Sequence, residues 1–238
     1  MARIARIVIP GYPHHVTQRG VRSMDIFTSD ECRVQYLQFV REQCRKHGLH
    51  ILSYCLMSNH VHFVAVPEGE KSLALAIGEA HRLYTRMVNF RDGVRGYLFQ
   101  GRFFSCPLDQ QYLLACVRYV ERNPVRVIDN INHAWDYPWS SARYHAGFVE
   151  RDPLLGSRKQ QKTYSKFLSE IGNWQEFLAS SQDDMEKLRE KTRTGRPCGD
   201  ELFVDQIEKI TGRILRPQKP GPKKETDIVG PQEIPFET

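Results

Sequence analysis

The stretch Tyr54-Cys-Leu-Met-Ser-Asn-His-Val-His-Phe-Val-Ala-Val66 decides how this 238-residue chain folds. Two apolar runs meet at Ser58-Asn59, a small polar pair suited to a tight turn. Leu49 to Met57 is therefore predicted as one strand and His60 to Val66 as its antiparallel partner, with Pro67 and Gly69 ending the hairpin. On a strand, residues i and i+2 project to the same side. His60 and His62 then share a face, and Val61 and Phe63 point the other way. Two imidazoles about 7 Å apart can each give a nitrogen to one divalent cation. They could equally be half-exposed histidines with ordinary hydrogen bonds, because two ligands do not complete a site.

Upstream, His14 to Arg19 alternates weakly between Pro13 and Gly20 and is predicted as a first strand. Asp30 is expected to cap a helix running to about His47, stopped by Gly48. Downstream, Leu73, Ile77, Ala80, Leu83, Tyr84 and Met87 form one stripe of a helix from Leu73 to about Asn89. Phe99 to Pro107 can form a fourth strand, and Gln110 to Asn123 a helix ended by Pro124. Strand, helix, strand, strand, helix, strand is the split βαβ order. The expected class is α+β: a ferredoxin-like antiparallel sheet of four to five strands, with helices on one face and the other open for a site. Residues 1–150 would form this domain. Residues 151–212 would form a helical extension, with a helical stretch from about Lys159 to Lys191 and a short amphipathic helix from Asp200 to Ile210. Residues 213–238, rich in proline, glycine and charge, would be a mobile tail.

A third ligand and a reacting group can come from Tyr112-Leu-Leu-Ala-Cys-Val-Arg-Tyr119-Val-Glu-Arg-Asn123-Pro124. Tyr119 and Asn123 stand four apart, one helical turn from each other. An amide oxygen is a legitimate ligand for a hard cation such as Mg2+ or Mn2+. A phenol one turn away could be aimed at a phosphate held by that cation. Tyr119 could instead be a core aromatic beside Leu113, Val117 and Val120, and Asn123 a cap before Pro124.

Composition agrees with such chemistry. Lys and Arg number 34 against 28 Asp and Glu, a formal charge of +6 that favours a polyanionic partner. With 40% hydrophobic and 26% charged residues the chain can bury a sizeable core. The six cysteines show no CxxC pair or zinc spacing, as expected of buried thiols in a reducing compartment. The apolar start to Ile9 is broken by Pro10 and Gly11, and no run reaches about 18 apolar residues, so a cytoplasmic protein without a membrane span is expected.

Asn59-His-Val-His62 followed by Arg118-Tyr-Val-Glu-Arg-Asn-Pro-Val-Arg126 resembles the REP-associated branch of the single-tyrosine HUH transposases. Pro13-His-His-Val-Thr-Gln-Arg-Gly20, Gly96-Tyr-Leu-Phe-Gln-Gly-Arg-Phe-Phe-Ser105 and Asp136-Tyr-Pro-Trp-Ser-Ser141 support the resemblance, which spans about residues 10–145. Thr194-Gly-Arg-Pro197 is a weaker match. The resemblance implies a metal-dependent enzyme that nicks and joins single-stranded DNA beside hairpin-forming repeats through a 5′-phosphotyrosine. His60, His62 and Asn123 would be metal ligands for Mg2+ or Mn2+, Tyr119 the nucleophile, and Val61 the bulky residue between the histidines. A monomer or a homodimer would act. The competing readings are an inactive regulator that binds repeat DNA, and a metal-dependent phosphodiesterase in which water attacks.

Arg91, Arg95 and Arg102 alternate with Phe90, Tyr97, Phe99, Phe103 and Phe104, cations for phosphates beside rings for bases. Gln18 and Arg19, ending the first strand, are further candidates for DNA contact. Arg193, Arg196, Arg213, Arg216, Lys219, Lys223 and Lys224 make the C-terminal part basic, and Arg196 and Arg216 are expected to meet DNA. Some of these rings could be core, some of the polar groups merely solvated, and the tail merely solubilising.

Overall fold

A computed structural model describes residues 5–157, 165–180 and 185–216. Its centre is a four-stranded antiparallel sheet of β1 (His14–Arg19), β2 (Leu49–Leu56), β3 (His60–Pro67) and β4 (Phe104–Pro107), in the order β2-β3-β1-β4. With α1 (Asp30–His47) after β1 and α2 (Ser72–Asp92) after β3, this is the ferredoxin-like arrangement expected from the hairpin.

Local signals account for the first half. The N-cap of α1 is Ser29, whose hydroxyl accepts from the Cys32 amide; Asp30 instead lies in the first turn, where its charge complements the helix dipole. Gly48 closes α1 in the left-handed conformation (φ 61°), its N–H reaching Cys44 O. One irregularity in β2 matters. A bulge between Ile51 and Ser53 shifts the register against β3. Leu49 and Ile51 before it, and Tyr54 and Leu56 after it, therefore all join the same core, despite their change of parity.

That core lies between the sheet and α1 and α2: Val16, Val61, Phe63 and Ala65 pack on Tyr36, Val40, Ile77, Ala80 and Tyr84. The opposite face was expected to be bare, and it is covered in part. There α3 (Gln110–Glu121) sets Leu113, Cys116, Val117 and Val120 against Leu52, Cys55, Val64 and Cys106. The apolar stripe of α3 needs burial, and this face of the sheet is the apolar surface left to receive it.

Other boundaries differ from expectation. Of the stretch from Phe99, only Phe104–Pro107 pairs as a strand; Gly96 (φ 130°) and Gly101 (φ 62°) turn the chain, and Phe99 keeps a single bridge to Gly20. Pro124 does not end the helical path. It sits in the first turn of a further helix, α4 (Asn123–Val127), where its missing N–H costs nothing. After α5 (Ala142–His145) come a two-residue ribbon, β5 (Arg151–Asp152) with β6 (Gly156–Ser157), and α6 (Ser165–Leu168). The stretch expected as one helix to Lys191 is divided among α6, α7 (Trp174–Ala179) and α8 (Glu186–Thr194), with residues 158–164 and 181–184 outside those described. Asn173 caps α7, accepting from the Gln175 and Glu176 amides. Asp200 caps α9 (Glu201–Thr211), whose Phe203 and Ile207 join Leu215 against Ile7 and Ile9. The C-terminal extension thus packs on the N-terminal segment. The tail beyond Arg216 lies outside the described residues. Among those described, no helix is long and apolar enough to cross a membrane, and all six cysteines are free and buried.

Candidate active site

The tight turn at Ser58-Asn59 delivers His60 and His62 onto the sheet face shared with α3. Their ring centroids are 5.0 Å apart with planes at 85°. Pairing across to β1 sets Thr17 opposite His62 and Arg19 opposite His60. His15 is then the diagonal neighbour of His62 on the same face, within reach of a long side chain. From the other side α3 brings Tyr119, its ring centroid 5.5 Å from that of His62 and 6.1 Å from that of His15, edge-on to both. From the C-terminal extension α8 adds Arg189, Thr192 and Arg193. Together with Gln18, Gln100 and Phe104 these residues line a cavity of ≈ 340 Å³.

Hydrogen bonds fix the ring orientations. Asn59 Nδ2 donates to Ser23 O (3.3 Å), which turns its amide oxygen toward His60. That oxygen can only accept, so His60 Nδ1, 2.6 Å away, carries the hydrogen and Nε2 keeps its lone pair. His62 Nδ1 lies 3.0 Å from His15 Nε2, and His15 Nδ1 lies 2.8 Å from Thr192 Oγ1. Burial lowers the pKa of His15 to about 3. Burial, then the Arg19 charge, lowers that of His60 to about 4. Burial, then the neighbouring His15 and His60 and the Arg19 and Arg189 guanidiniums, pushes His62 well below the usual range. All three rings are neutral at pH 7, the form in which an imidazole binds a cation.

Two guanidiniums flank the phenol: Arg189 lies 5.5 Å and Arg126 5.7 Å from the centroid of Tyr119. A cavity with two ligand-competent imidazoles, a phenol and excess positive charge suits attack on a phosphodiester. The donor set fits a divalent cation in part. Among the described residues no three His, Cys, Asp or Glu side chains are grouped to hold one, so His60 and His62 would need oxygen ligands besides.

The structure brings His60, His62 and Tyr119 together, with Gln18 and Arg19 on the cavity wall. Asn123 is buried in the first turn of α4 and is not part of the lining. Gln18 is fully buried, its amide Nε2 donating to Gly101 O (3.1 Å), and its Oε1 has no hydrogen-bond partner among the described residues. The other residues assigned to DNA divide. Tyr97 is 91% exposed and, with Arg95, Arg82, Arg86 and Phe90 (90% exposed), borders a second hollow of ≈ 670 Å³. Arg102 is also exposed. Phe99 is instead a core residue, buried beside His81 with ring centroids 4.2 Å apart. Arg91 is held by Asp92 (2.6 Å) and the Cys32 sulfur (2.6 Å). Arg196 donates to Leu215 O (2.9 Å), bracing the C-terminal segment. Arg216 is clasped by Glu201, Asp205 and Glu208, each at 2.7 Å. Lys219, Lys223 and Lys224 lie outside the described residues.

Sequence reasoning assigned no role to His15, Gln100, Arg189 or Thr192. For His15 a signal existed, since pairing the first strand beside the third puts alternate residues of both on one face. For Thr192, which meets a residue 177 positions earlier, there was none.

Fold and cavity together define a ferredoxin-like α+β domain with an imidazole–phenol centre on one sheet face. Residues 11–123, just under half of the chain, match the family described as "Transposase IS200 like". Among solved structures, a REP-associated tyrosine transposase bound to a REP hairpin superposes with a TM-score of 0.51 at 19% identity, covering 61% of this chain and 85% of that one. At that identity the likeness speaks for the fold. No curated protein matches the chain.

Proposed function

We propose that this protein is a transposase, a metal-dependent single-strand DNA endonuclease and strand transferase that nicks beside hairpin-forming repeats, with Tyr119 as nucleophile. The observation that carries the reading is the convergence of Tyr119 on neutral His60 and His62 in a cavity edged by arginines. The hairpin substrate is carried over from the structural neighbour, which was bound to one.

His60 and His62 would hold Mg2+ or Mn2+ through Nε2, with water or the DNA phosphate as oxygen ligands. When bound, such an ion supplies Lewis-acid charge neutralisation at the phosphate. The chain's own residues do the rest. Tyr119 Oη attacks phosphorus, forming the 5′-phosphotyrosine bond as the bond to the 3′ oxygen breaks; the phenol loses its proton and the leaving oxygen gains one to become a 3′-hydroxyl. Arg126 and Arg189 put positive charge where negative charge gathers during attack. The walls from β1, β3, α3 and α8 fix phenol and phosphate in line, so much of the gain is positional. The covalent link conserves the phosphodiester energy for rejoining, so the cycle needs no ATP. Beyond the cavity, the strand would cross Gln100 and Gly101 to the hollow of Arg82, Arg86 and Arg95, where Phe90 and Tyr97 offer exposed rings for bases.

A labelled hairpin oligonucleotide incubated with protein and Mn2+ should give a denaturation-resistant complex, absent in Tyr119→Phe. Binding without any adduct would mean a recognition module. Cleavage that survives Tyr119→Phe but not His60→Ala would mean that water is the nucleophile.

A further inference from the structure

His60 has its tautomer set by Asn59, a neighbour on the same turn. His62 is oriented by a longer chain. The His15 and His62 planes are parallel within 5°, with centroids 5.2 Å apart. Their nearest nitrogens are only 3.0 Å apart, shorter than the centroid separation by about two ring radii. The rings therefore lie edge to edge in one plane, the geometry of an N–H···N bond rather than of face-to-face stacking. Beyond His15 the chain continues to Thr192 Oγ1 at 2.8 Å, which in turn lies 3.2 Å from Cys106 Sγ.

Neutral rings allow two orders of hydrogens along this chain. In one, Thr192 donates to His15, His15 donates to His62, and His62 turns an N–H into the cavity. In the other, His62 Nδ1 donates to His15 Nε2, His15 Nδ1 donates to Thr192 Oγ1, and His62 Nε2 faces the cavity as a lone pair. The lining discriminates between them. Arg19 and Arg189, whose positive fields act on His62, are donors only, and a lone pair on Nε2 complements them where an N–H does not.

We infer that His15 and Thr192 are positioning residues, which hold His62 in the Nδ1–H tautomer and so make its Nε2 a cation ligand. The inference rests on the reading of His60 and His62 as ligands. It also gives the C-terminal extension a task in the catalytic domain: α8 supplies the hydroxyl that anchors the chain. Outer partners of ligating histidines typically change metal affinity by about 10- to 100-fold.

The test uses the full-length protein and two readouts. Ring 15N spectra of the metal-free protein, with His62 assigned by loss of its signals in His62→Ala, should show the His62 hydrogen on Nδ1. Mn2+ titration followed by electron paramagnetic resonance, without DNA, should give about 10-fold weaker binding in Thr192→Val and affinity within about twofold of the parent in Thr192→Ser. His15→Phe, which fills the ring volume without an acceptor nitrogen, should weaken binding similarly should Thr192→Val fail to fold. A His62 hydrogen on Nε2, or a folded Thr192→Val that binds Mn2+ like the parent, overturns the inference. A parent protein that takes up no Mn2+ overturns the cation reading instead, and the ring spectra still decide the tautomer.

Discussion

Tyr119 presents its ring edge to His62, centroids 5.5 Å apart and planes at 85°. Nothing in the packing of Leu113, Val117 and Val120 on the sheet requires a phenol at this place; the hydroxyl is the part that packing does not explain. Tyr119→Phe keeps the ring contacts and should leave the melting temperature within a few degrees of the parent. The covalent adduct with hairpin DNA should vanish, while hairpin affinity, measured by filter binding, stays within about threefold, since removing one hydroxyl costs a bound complex roughly one hydrogen bond. Persistence of the adduct would move the nucleophile elsewhere.

Four of the buried histidines, together with the half-buried His60, make stability acid-sensitive. Burial holds His14 and His60 at about 4, His15 and His81 at about 3, and His62 well below the usual range. Above about pH 6.5 the rings are neutral in both folded and unfolded chains, so they contribute nothing to the pH dependence. Below it the unfolded chain takes up protons that the native state refuses, and stability falls with pH until the native values are reached. Each ring removes up to about 1.4 kcal/mol per pH unit in that window. Urea midpoints should therefore drop steeply between pH 6.5 and 4.5. His81→Gln, which removes one such ring, should lower the proton uptake on unfolding by about one. A midpoint flat across this range would contradict the burial of these rings.

The Ser58-Asn59 turn, the two-residue period around it and the stop at Gly48 are local effects, and they yielded the ferredoxin-like class and the bounds of α1, α2 and α3 to within a few residues. The cap of α1 falls on Ser29 and not on the expected Asp30. The same period placed His60 and His62 on one face, and helical spacing delivered Tyr119 to it. What was hidden depends on contacts distant in sequence. Phe99 reads as a stacking ring, and only the fold shows it packed on His81. Arg216 reads as a free cation until α9 brings three carboxylates to it. The bulge in β2 and the arrival of α8 at the cavity leave no periodic trace at all.

The second hollow predicts a separable contribution to DNA affinity. Tyr97 and Phe90, almost wholly exposed at the edge of one hollow, offer flat rings on which bases can stack. Base stacking on an aromatic ring is worth about 1–3 kcal/mol. Tyr97→Ala should weaken binding of a single-stranded flank by about 10-fold with little change in salt dependence. Arg95→Ala should weaken it with a shallower salt slope, by about one counterion. In both variants adduct formation at saturating DNA should persist, because neither residue lines the cavity of His60, His62 and Tyr119. Unchanged binding in both variants would remove this surface from the DNA path.

Two residues beyond Tyr119, Glu121 is completely buried. Its Oε1 accepts from Ser141 Oγ (2.5 Å) and lies 2.6 Å from His145 Nδ1, while Ser141 Oγ accepts from the Tyr54 amide (2.9 Å). One carboxylate thus ties α3 to β2 and α5. A buried carboxylate is costly to desolvate, but removing it strands the donors built around it. Glu121→Ala should therefore destabilise the protein by about 2–5 kcal/mol, lowering the melting temperature by roughly 10 °C. Glu121→Gln, which keeps an acceptor oxygen, should recover much of the loss. Calorimetric melting of the two variants checks this. If alanine and glutamine melt alike and near the parent, the network does not hold α3, and the placement of Tyr119 must depend on the apolar contacts of Leu113, Val117 and Val120 alone.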